Sequence, residues 1–247
     1  MKIQTFIFVH NQNIILDFKQ VNKFNELENL KYVFVGAGEI DKIDGLDDVI
    51  ISRNLPGNIE QYPKLTSFTG WYSLWKNNLV DGDYINLFEY DINILDNFVT
   101  EQKKSILNKA GVIGYIPYNI HSYPILGNPI WCQYIVDSIK KNYGIDVISR
   151  ISLLGNSVQC SMTSNHTFNK KNFENYMKWV EPMIDDIKLS PYSGHDIERS
   201  IFLYYTLNKI QNVAIITNII KHYNFDSHQT QLDINQDVVK ETYKELL

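Results

Sequence analysis

The apolar positions in the first half of the chain indicate four short strands and one early helix. Runs of strand-forming apolar residues fall at residues 3–10, 31–36, 49–52 and 83–91. Between the first two runs, apolar residues at positions 18, 21, 24, 27 and 30 recur at helical spacing, which predicts a helix over residues 17–30. A strand, a helix and a strand of these lengths predict a βαβ unit with parallel strand pairing.

Residues 65–78 predict a helix that carries an aromatic stripe. The aromatic residues at helical spacing are Phe68, Trp71, Tyr72 and Trp75, and we expect them to pack on the sheet. The other faces carry small residues that would let a flat ligand or a backbone approach: Thr66, Ser67, Thr69, Gly70 and Ser73.

The second half has a less regular pattern. It predicts a strand over residues 111–117, strands within residues 148–159, and helices over residues 130–143, 172–187 and 193–210. Gly144 marks the end of the first of these helices, and Ser193 fits the N-cap position of the last one. The chain has no internal repeat and no linker-like tract, so we expect one domain.

Composition and charge exclude several classes of protein. The 247 residues are 44% hydrophobic and 21% charged, which is ordinary for a globular chain. The net charge of −5, without a long basic run, argues against nucleic acid as a partner. No run approaches the roughly 20 apolar residues of a membrane helix. The N-terminal run is too short and polar for a signal peptide. The spacing of Cys132 and Cys160 indicates buried thiols and no disulfide scaffold. We therefore expect a cytoplasmic protein.

The segment Asp83-Tyr-Ile-Asn-Leu-Phe-Glu-Tyr-Asp91 carries the main candidate chemistry. Glu89 and Asp91 are two apart at the end of an apolar strand, so their side chains can share one face. Ligands bind at the carboxyl ends of strands in open α/β sheets. We therefore expect these carboxylates to hold a divalent metal ion and, through it, a diphosphate; a solvated strand end is the alternative.

Two later segments supply further candidates. His222 and His228 lie six residues apart and either complete a metal site or lie on the surface. His195 and Glu198 share one face of the helix predicted from residue 193. Glu198 either removes a proton from a sugar hydroxyl or pairs with Arg199 or a nearby lysine. Asp196 suits the positive end of that helix dipole.

The chain lacks the G-x-S-x-G, P-loop, G-x-G-x-x-G and H-E-x-x-H motifs. Val35-Gly-Ala-Gly38 is only a fragment of a dinucleotide fingerprint, so we do not expect NAD binding.

The order of these segments resembles that of the GT-A glycosyltransferases, in particular the bacterial capsule and lipopolysaccharide enzymes and related viral ones. The resemblance is carried by residues 65–77, the 83–91 segment, Asn165-His-Thr-Phe-Asn and His195-Asp-Ile-Glu-Arg-Ser. It implies a single α/β domain over residues 1–247, Rossmann-like, with a mostly parallel central sheet flanked by helices. It also implies a nucleotide-binding half at about 1–115 and an acceptor-binding half at about 116–247.

The same resemblance implies a metal-dependent enzyme that moves a sugar from a nucleoside-diphosphate sugar to a glycan or related acceptor. Asp91 would be the main contact for Mn²⁺ or Mg²⁺ and the diphosphate, and Glu89 a second metal or nucleotide contact, although the triplet is Glu-Tyr-Asp and not Asp-x-Asp. One late histidine, His228 or His222, would complete the metal site.

The resemblance implies roles for other residues too. In an inverting enzyme Glu198 would be the base, with Asp196 as the second candidate. The remaining candidates for contacts with the nucleotide-sugar are Val9, His10, Thr69, Trp75 and His195.

Two alternatives stay open. The first is a non-catalytic sugar- or nucleotide-binding protein on the same scaffold. The second is a nucleotidyltransferase, although the chain lacks the basic Gly-rich loop that would hold a triphosphate. The sequence also leaves open whether the chain forms a homo-oligomer.

Overall fold

The computed structural model describes residues 1–10, 27–36, 49–119, 132–154, 159–161, 163–210, 212–224 and 229–230. The strands are β1 (Ile3–Val9), β2 (Leu30–Phe34), β3 (Val49–Ile51), β4 (Tyr84–Glu89), β5 (Ile92–Ile94), β6 (Val112–Tyr115), β7 (Pro117–Asn119), β8 (Gln159–Ser161), β9 (His166–Asn169), β10 (Val213–Ile216), β11 (Ile220–Asn224) and β12 (Gln229–Thr230). The α-helices are α1 (Phe68–Lys76), α2 (Phe98–Leu107), α3 (Gln133–Tyr143), α4 (Val147–Ile151), α5 (Lys170–Val180), α6 (Ile184–Ile187) and α7 (Ser193–Leu207).

Seven of the described strands form one central sheet in the order β10-β6-β9-β4-β1-β2-β3. Strand β1 pairs in parallel with β2 and with β4, β2 with β3, and β6 with β10. Only β9 runs antiparallel to its neighbours β4 and β6. The predicted mostly parallel α/β sheet is therefore confirmed, and its strands come from both halves of the chain.

Both faces of the sheet are covered by apolar side chains. All seven residues of β1 are buried, as expected for a central strand with layers on both sides. Phe6 and Phe8 pack in a cluster with helices α1, α3, α5 and α7, whereas Ile7 and Val9 pack in a second cluster with α2. The predicted aromatic stripe belongs to the first cluster. None of the helices in the described ranges has the length and apolar character needed to cross a bilayer.

A buried polar network crosses the middle of the sheet. The Nε2 of Gln102, on α2, donates to Asn86 Oδ1 (2.7 Å) and lies within hydrogen-bond distance of the Thr167 and Tyr115 hydroxyls. Thr167 Oγ1 donates to Asn86 Oδ1 (2.7 Å), and Asn86 Nδ2 donates to Thr5 Oγ1 (3.0 Å). The network joins β1, β4, β9 and β6 and fixes the position of the one antiparallel strand between its partners.

Three predictions about local structure are wrong. Residues 147–151 form helix α4 and not a strand, because Asp146 Oδ1 accepts a hydrogen bond from Ser149 N and caps the first turn. The predicted helix over residues 172–187 is interrupted by a 3₁₀ turn at Glu181–Met183, because Pro182 cannot donate a backbone hydrogen bond. Ser193 lies inside α7 and does not cap it; the cap position is Tyr192. Most of the helix predicted over residues 17–30 lies outside the described residues.

Candidate functional site

A cavity of about 480 Å³ lies at the carboxyl ends of β1, β2 and β4. His10 follows β1, Gly36 follows β2, and the triplet from Glu89 to Asp91 follows β4. Strands β2 and β4 flank β1 on opposite sides, so the cavity lies at the point where the strand order reverses. This is the place where open α/β sheets bind ligands.

The start of α1 forms another wall of the cavity. Thr66 and Ser67, just before the helix, and Thr69 within it line the space, and the helix can approach the sheet because residue 70 is glycine. A Cβ atom at Gly70 would lie 2.7 Å from ring atoms of Phe8 and from Val35 Cγ1. The small residues of this segment therefore bring the helix N-terminus to the strand ends, in agreement with the approach inferred from the sequence.

Glu89 is held at the cavity by two hydrogen bonds. Its backbone N–H donates to Asn165 Oδ1 (2.8 Å), and its Oε1 accepts from Ser67 Oγ (3.0 Å). Asp91 lines the same cavity, so the two carboxylates are gathered in one place. An arrangement of this kind provides oxygen ligands of the type that Mg²⁺ and Mn²⁺ prefer.

His10 lies beside this acidic pair. Its ring packs edge-on against Tyr90, with the ring centroids 4.8 Å apart. Burial lowers the pKa of His10, and the charge of Asp91 partly opposes this effect. The imidazole is therefore favoured in its neutral form, which can stack or hydrogen-bond without adding charge.

Helix α7 begins against the segment that precedes α1. A Cβ atom at Gly194 would lie 3.2 Å from both the Lys64 carbonyl oxygen and Thr66 Cγ2, and Thr66 lines the cavity. His195 Nδ1 lies 3.3 Å from Glu198 Oε2, and the Nη1 of the buried Arg199 lies 3.5 Å from the same oxygen. Glu198 thus interacts with the imidazole of His195 and with the guanidinium of Arg199.

Asp196 has a different position from its helix neighbours. Its side chain is fully buried, and Oδ1 accepts from Ile135 N (2.9 Å) in the first turn of α3. Burial raises the pKa of Asp196, and the hydrogen bonds with Ser190 and the Ile135 backbone and the charge of Arg199 oppose this effect. The carboxylate therefore caps α3 and does not line the cavity.

Comparison with solved structures identifies the fold. One similar structure is the "WbbM bifunctional glycosyltransferase apo structure", with a TM-score of 0.61, 14% sequence identity, and coverage of 90% of this chain and 45% of that chain. The chain has a GT-A-like glycosyltransferase fold. It spans less than half the length of the WbbM chain.

A second solved structure is glucosyl-3-phosphoglycerate synthase from Mycobacterium tuberculosis in complex with Mn²⁺, UDP-glucose and glycerol 3-phosphate. Its TM-score is 0.47 at 12% identity, with coverage of 100% of this chain and 79% of that chain. No protein-family model and no curated protein sequence matches the chain.

The GT-A-like fold brings four of the predicted donor- or metal-binding residues to one cavity: His10, Thr69, Glu89 and Asp91. Other candidates lie elsewhere. Val9 is buried in the apolar cluster between the sheet and helix α2. Trp75 lines a separate cavity of about 230 Å³ with Lys170 and Lys178, and Lys76 Nζ lies 4.6 Å from its ring centroid.

The late histidines are only partly covered by the described residues. The backbone of His222, in β11, pairs with Ile92, the residue that follows Asp91. His228 lies outside the described residues. Within the described ranges no three His, Cys, Asp or Glu side chains gather in a way that could hold a metal ion.

The site also includes residues whose role is not predicted by the sequence. Asn165, which fixes the Glu89 backbone, belongs to a run of buried polar residues: Thr163, Ser164, Asn165, His166 and Thr167. Glu60, buried behind Gly36, is another. The polar run is visible in the sequence, but only the fold reveals that it is buried beside the end of β4.

Proposed function

We propose that the chain is a metal-dependent glycosyltransferase that moves a sugar from a nucleoside-diphosphate sugar to a glycan or related acceptor. The observation that carries this proposal is the cavity at the strand-order reversal of a GT-A-like fold, lined by both Glu89 and Asp91. The similarity to WbbM, which is named as a bifunctional glycosyltransferase, supports the same activity class. We assign nucleotide binding to about 1–115 and acceptor binding to about 116–247.

The donor set on the cavity fits Mn²⁺ or Mg²⁺. Asp91 is the main candidate ligand, and Glu89 is the second, with one of its oxygens already bonded to Ser67. His222 or His228 is the candidate for a further ligand, and β11 brings the His222 backbone next to the residue after Asp91. When bound, such an ion neutralises the diphosphate and makes it a better leaving group.

The chain's own residues would then position the reactants. His10 and Thr69, which line the same cavity as the carboxylates, would contact the nucleotide part of the donor. For an inverting reaction, we assign Glu198 as the base: it accepts the acceptor hydroxyl proton while that oxygen bonds to the anomeric carbon and the bond to the diphosphate breaks. His195 and Arg199 would hold the Glu198 carboxylate in place. Asp196 is less suited, because its carboxylate is buried against α3.

A thermal-shift and turnover experiment tests the proposal. We expect UDP, GDP or TDP with Mn²⁺ to raise the melting temperature, and the matching nucleotide-sugar to be slowly hydrolysed without an acceptor. Both effects should be lost in Asp91→Ala. If no nucleoside diphosphate stabilises the protein in the presence of metal, the proposal is wrong.

A non-catalytic nucleotide- or sugar-binding protein on the same fold is the second candidate. It is favoured by the contacts of Glu198 with His195 and Arg199 and by the absence of Glu198 from the cavity lining among the described residues. It predicts stabilisation by nucleotides without hydrolysis or transfer of any donor sugar.

A further inference from the structure

The separate cavity of about 230 Å³ beside Trp75 lies between α1 and α5, away from the candidate donor site. Lys170, which lines it, donates its backbone N–H to the carbonyl oxygen of Asp83 (2.9 Å), the residue before β4. The donor cavity instead lies at Glu89, the last residue of β4. A strand of six residues is about 20 Å long. The two cavities therefore lie at opposite ends of the sheet.

Trp75 gives this cavity an aromatic surface that its neighbours hold in place. Lys76 Nζ lies 4.6 Å from the centroid of the indole, and the ring of Tyr72 packs edge-on with the centroids 5.7 Å apart. Glu181 joins both neighbours, because it accepts from Tyr72 Oη (3.0 Å) and forms an ion pair with Lys76. The indole is half-buried and lines the cavity. An aromatic ring held in this way loses little conformational entropy when a ligand stacks on it.

Two lysines make the same cavity cationic. Lys170 and Lys178 are exposed residues of α5, and Glu174 lies four residues from each of them. Within the described part of the chain, none of these three side chains has a hydrogen bond or an ion pair. Two ammonium groups therefore face one carboxylate, so the cavity favours an anion although the whole chain has a net charge of −5.

The rest of the lining combines apolar contact with hydrogen-bonding groups. Val80 and Phe173 are buried apolar side chains. The amide of Asn78 both donates and accepts hydrogen bonds, whereas the Glu174 carboxylate only accepts them. Pockets for drug-sized ligands measure about 300–1,000 Å³, so this smaller cavity suits a single ring. A ring with an apolar face, several hydroxyl groups and one anionic group would match all of these features.

We propose that this cavity binds one acidic sugar unit, that is, a pyranose ring that carries a carboxylate or a phosphate group. The C–H face of the ring would stack on Trp75, and the anionic group would pair with Lys170, Lys178 or both. The hydroxyl groups would bond to Asn78 and Glu174. The inference goes beyond the proposed function, because the site lies away from the donor cavity. In a transferase it would hold a distant unit of a long glycan acceptor.

An NMR titration of the tryptophan indole N–H signals tests the inference without metal or nucleotide. The chain has four tryptophans, and the Trp75 signal is identified by its loss in Trp75→Phe. The probes are glucuronic acid and glucose 6-phosphate, which distinguish a carboxylate from a phosphate, and the controls are glucose, acetate and inorganic phosphate. We expect at least one acidic sugar to shift the Trp75 signal with a dissociation constant about tenfold or more below those of all three controls.

Charge variants test the role of the two lysines. Lys170→Gln/Lys178→Gln is expected to weaken binding of the acidic sugar about tenfold or more. The matched control is Lys140→Gln/Lys171→Gln, which removes the same charge from exposed residues that do not line the cavity, and it should bind like the wild type. Equal losses in both double variants would overturn the inference.

The wild type alone can also overturn it. The inference is wrong if neither acidic sugar shifts the Trp75 signal, or if glucose or a simple anion binds as tightly as the acidic sugar. Because the titration contains no nucleotide, its result does not depend on whether the chain is a transferase. Failure of the proposed function would instead appear as the absence of stabilisation by any nucleoside diphosphate with Mn²⁺.

Discussion

Ser67 Oγ donates a hydrogen bond of 3.0 Å to Glu89 Oε1 and so joins the start of α1 to the end of β4. The bond restricts the rotation of the Glu89 side chain. Together with the Asn165 contact to the Glu89 backbone, it holds the acidic triplet from two sides. The position of the Glu89 carboxylate therefore depends on the hydroxyl of Ser67.

Ser67→Ala is expected to weaken metal-dependent nucleotide binding. Hydrogen bonds to charged groups contribute about 1.5–3 kcal/mol, so a loss of about tenfold in affinity is expected from calorimetry with Mn²⁺. The control is Ser73→Ala in the same helix, where Oγ contacts Ser52 and the Thr69 carbonyl. That variant should lose about 1 kcal/mol of stability without a change in affinity. Equal affinities for both variants would argue against a role for the Ser67 contact.

Asp91→Asn is expected to lower metal-dependent hydrolysis of the donor sugar by about 10²–10³-fold, the usual effect of losing one electrostatic contact to a reacting centre. Asp83→Asn is the matched control. Asp83 lies just before the amino end of β4, where it accepts from the Lys2 backbone N–H (2.7 Å). Its replacement should leave turnover unchanged. It should change the free energy of unfolding by no more than about 0.5 kcal/mol. Comparable losses in both variants would count against a special role for Asp91.

Glu198→Gln is expected to separate transfer from donor binding. Loss of a general base slows proton transfer by about 10²–10⁴-fold, so transfer to an acceptor should fall while the affinity for the nucleotide stays the same. Chromatography of the glycosylated product and calorimetry with the nucleotide measure the two effects. Glu101→Gln, on α2, is the control, because its partner is Lys104. If Glu198→Gln weakens nucleotide binding as much as transfer, the base assignment is wrong.

Gln102→Ala is expected to destabilise the fold by about 2–4 kcal/mol. The change leaves a space between α2 and the sheet and removes the donor for Asn86, Tyr115 and Thr167. Urea unfolding measures the loss. Gln133→Ala, which removes an exposed contact with Asp137, should cost no more than about 0.5 kcal/mol. A loss of the same small size at Gln102 would mean that the network adds little to stability.

His166 is expected to make the fold sensitive to acid. Burial lowers its pKa from 6.5 to about 3, against the opposing effect of the Thr163 and Ser161 backbone. The folded state therefore resists protonation, so stability is fully present above pH 6.5 and falls as the pH drops towards 3. In this pH range the free energy of unfolding falls by about 1.4 kcal/mol for each unit by which the pH is lowered.

The corresponding measurement is urea unfolding at pH 7.5 and pH 5.0. The wild type should lose about 2 kcal/mol more than His166→Gln between these values. At pH 7.5 the histidine is neutral in both the folded and the unfolded state. Any difference in the free energy of unfolding between the two proteins at this pH therefore reflects packing. Parallel losses in the two proteins would show that His166 does not govern the acid response.

Local patterns in the sequence were sufficient to predict most of the sheet and the helix that carries the aromatic stripe. Strands β1 to β4 follow apolar runs, and α1 follows the spacing of its aromatic residues. The errors occurred where one residue overrides a pattern. Asp146 caps a helix in an apolar stretch that resembles a strand, and Pro182 divides a helix whose apolar spacing is otherwise continuous.

The site was harder to predict because its parts come together only through long-range contacts. The apolar run of β4 was enough to predict that Glu89 ends a strand, and Asp91 lies in the turn that follows. By contrast, Trp75 has the spacing of its neighbours but lies two turns from the helix start, next to another cavity. Asp196 fits a helix start but contacts Ile135, 61 residues away. Such contacts depend on how helices pack, and no local spacing encodes them.

The antiparallel strand β9 has a consequence for how the chain folds. It occupies the place between β4 and β6, yet it is made after both of them. Until residues 166–169 leave the ribosome, the backbone N–H and C=O groups along one edge of β4 are unpaired. Unpaired strand edges pair readily with strands of other chains. Pairing over such separations is also slow. We therefore expect a fragment that ends near residue 115 to aggregate, and the full chain to reach its native sheet late in synthesis.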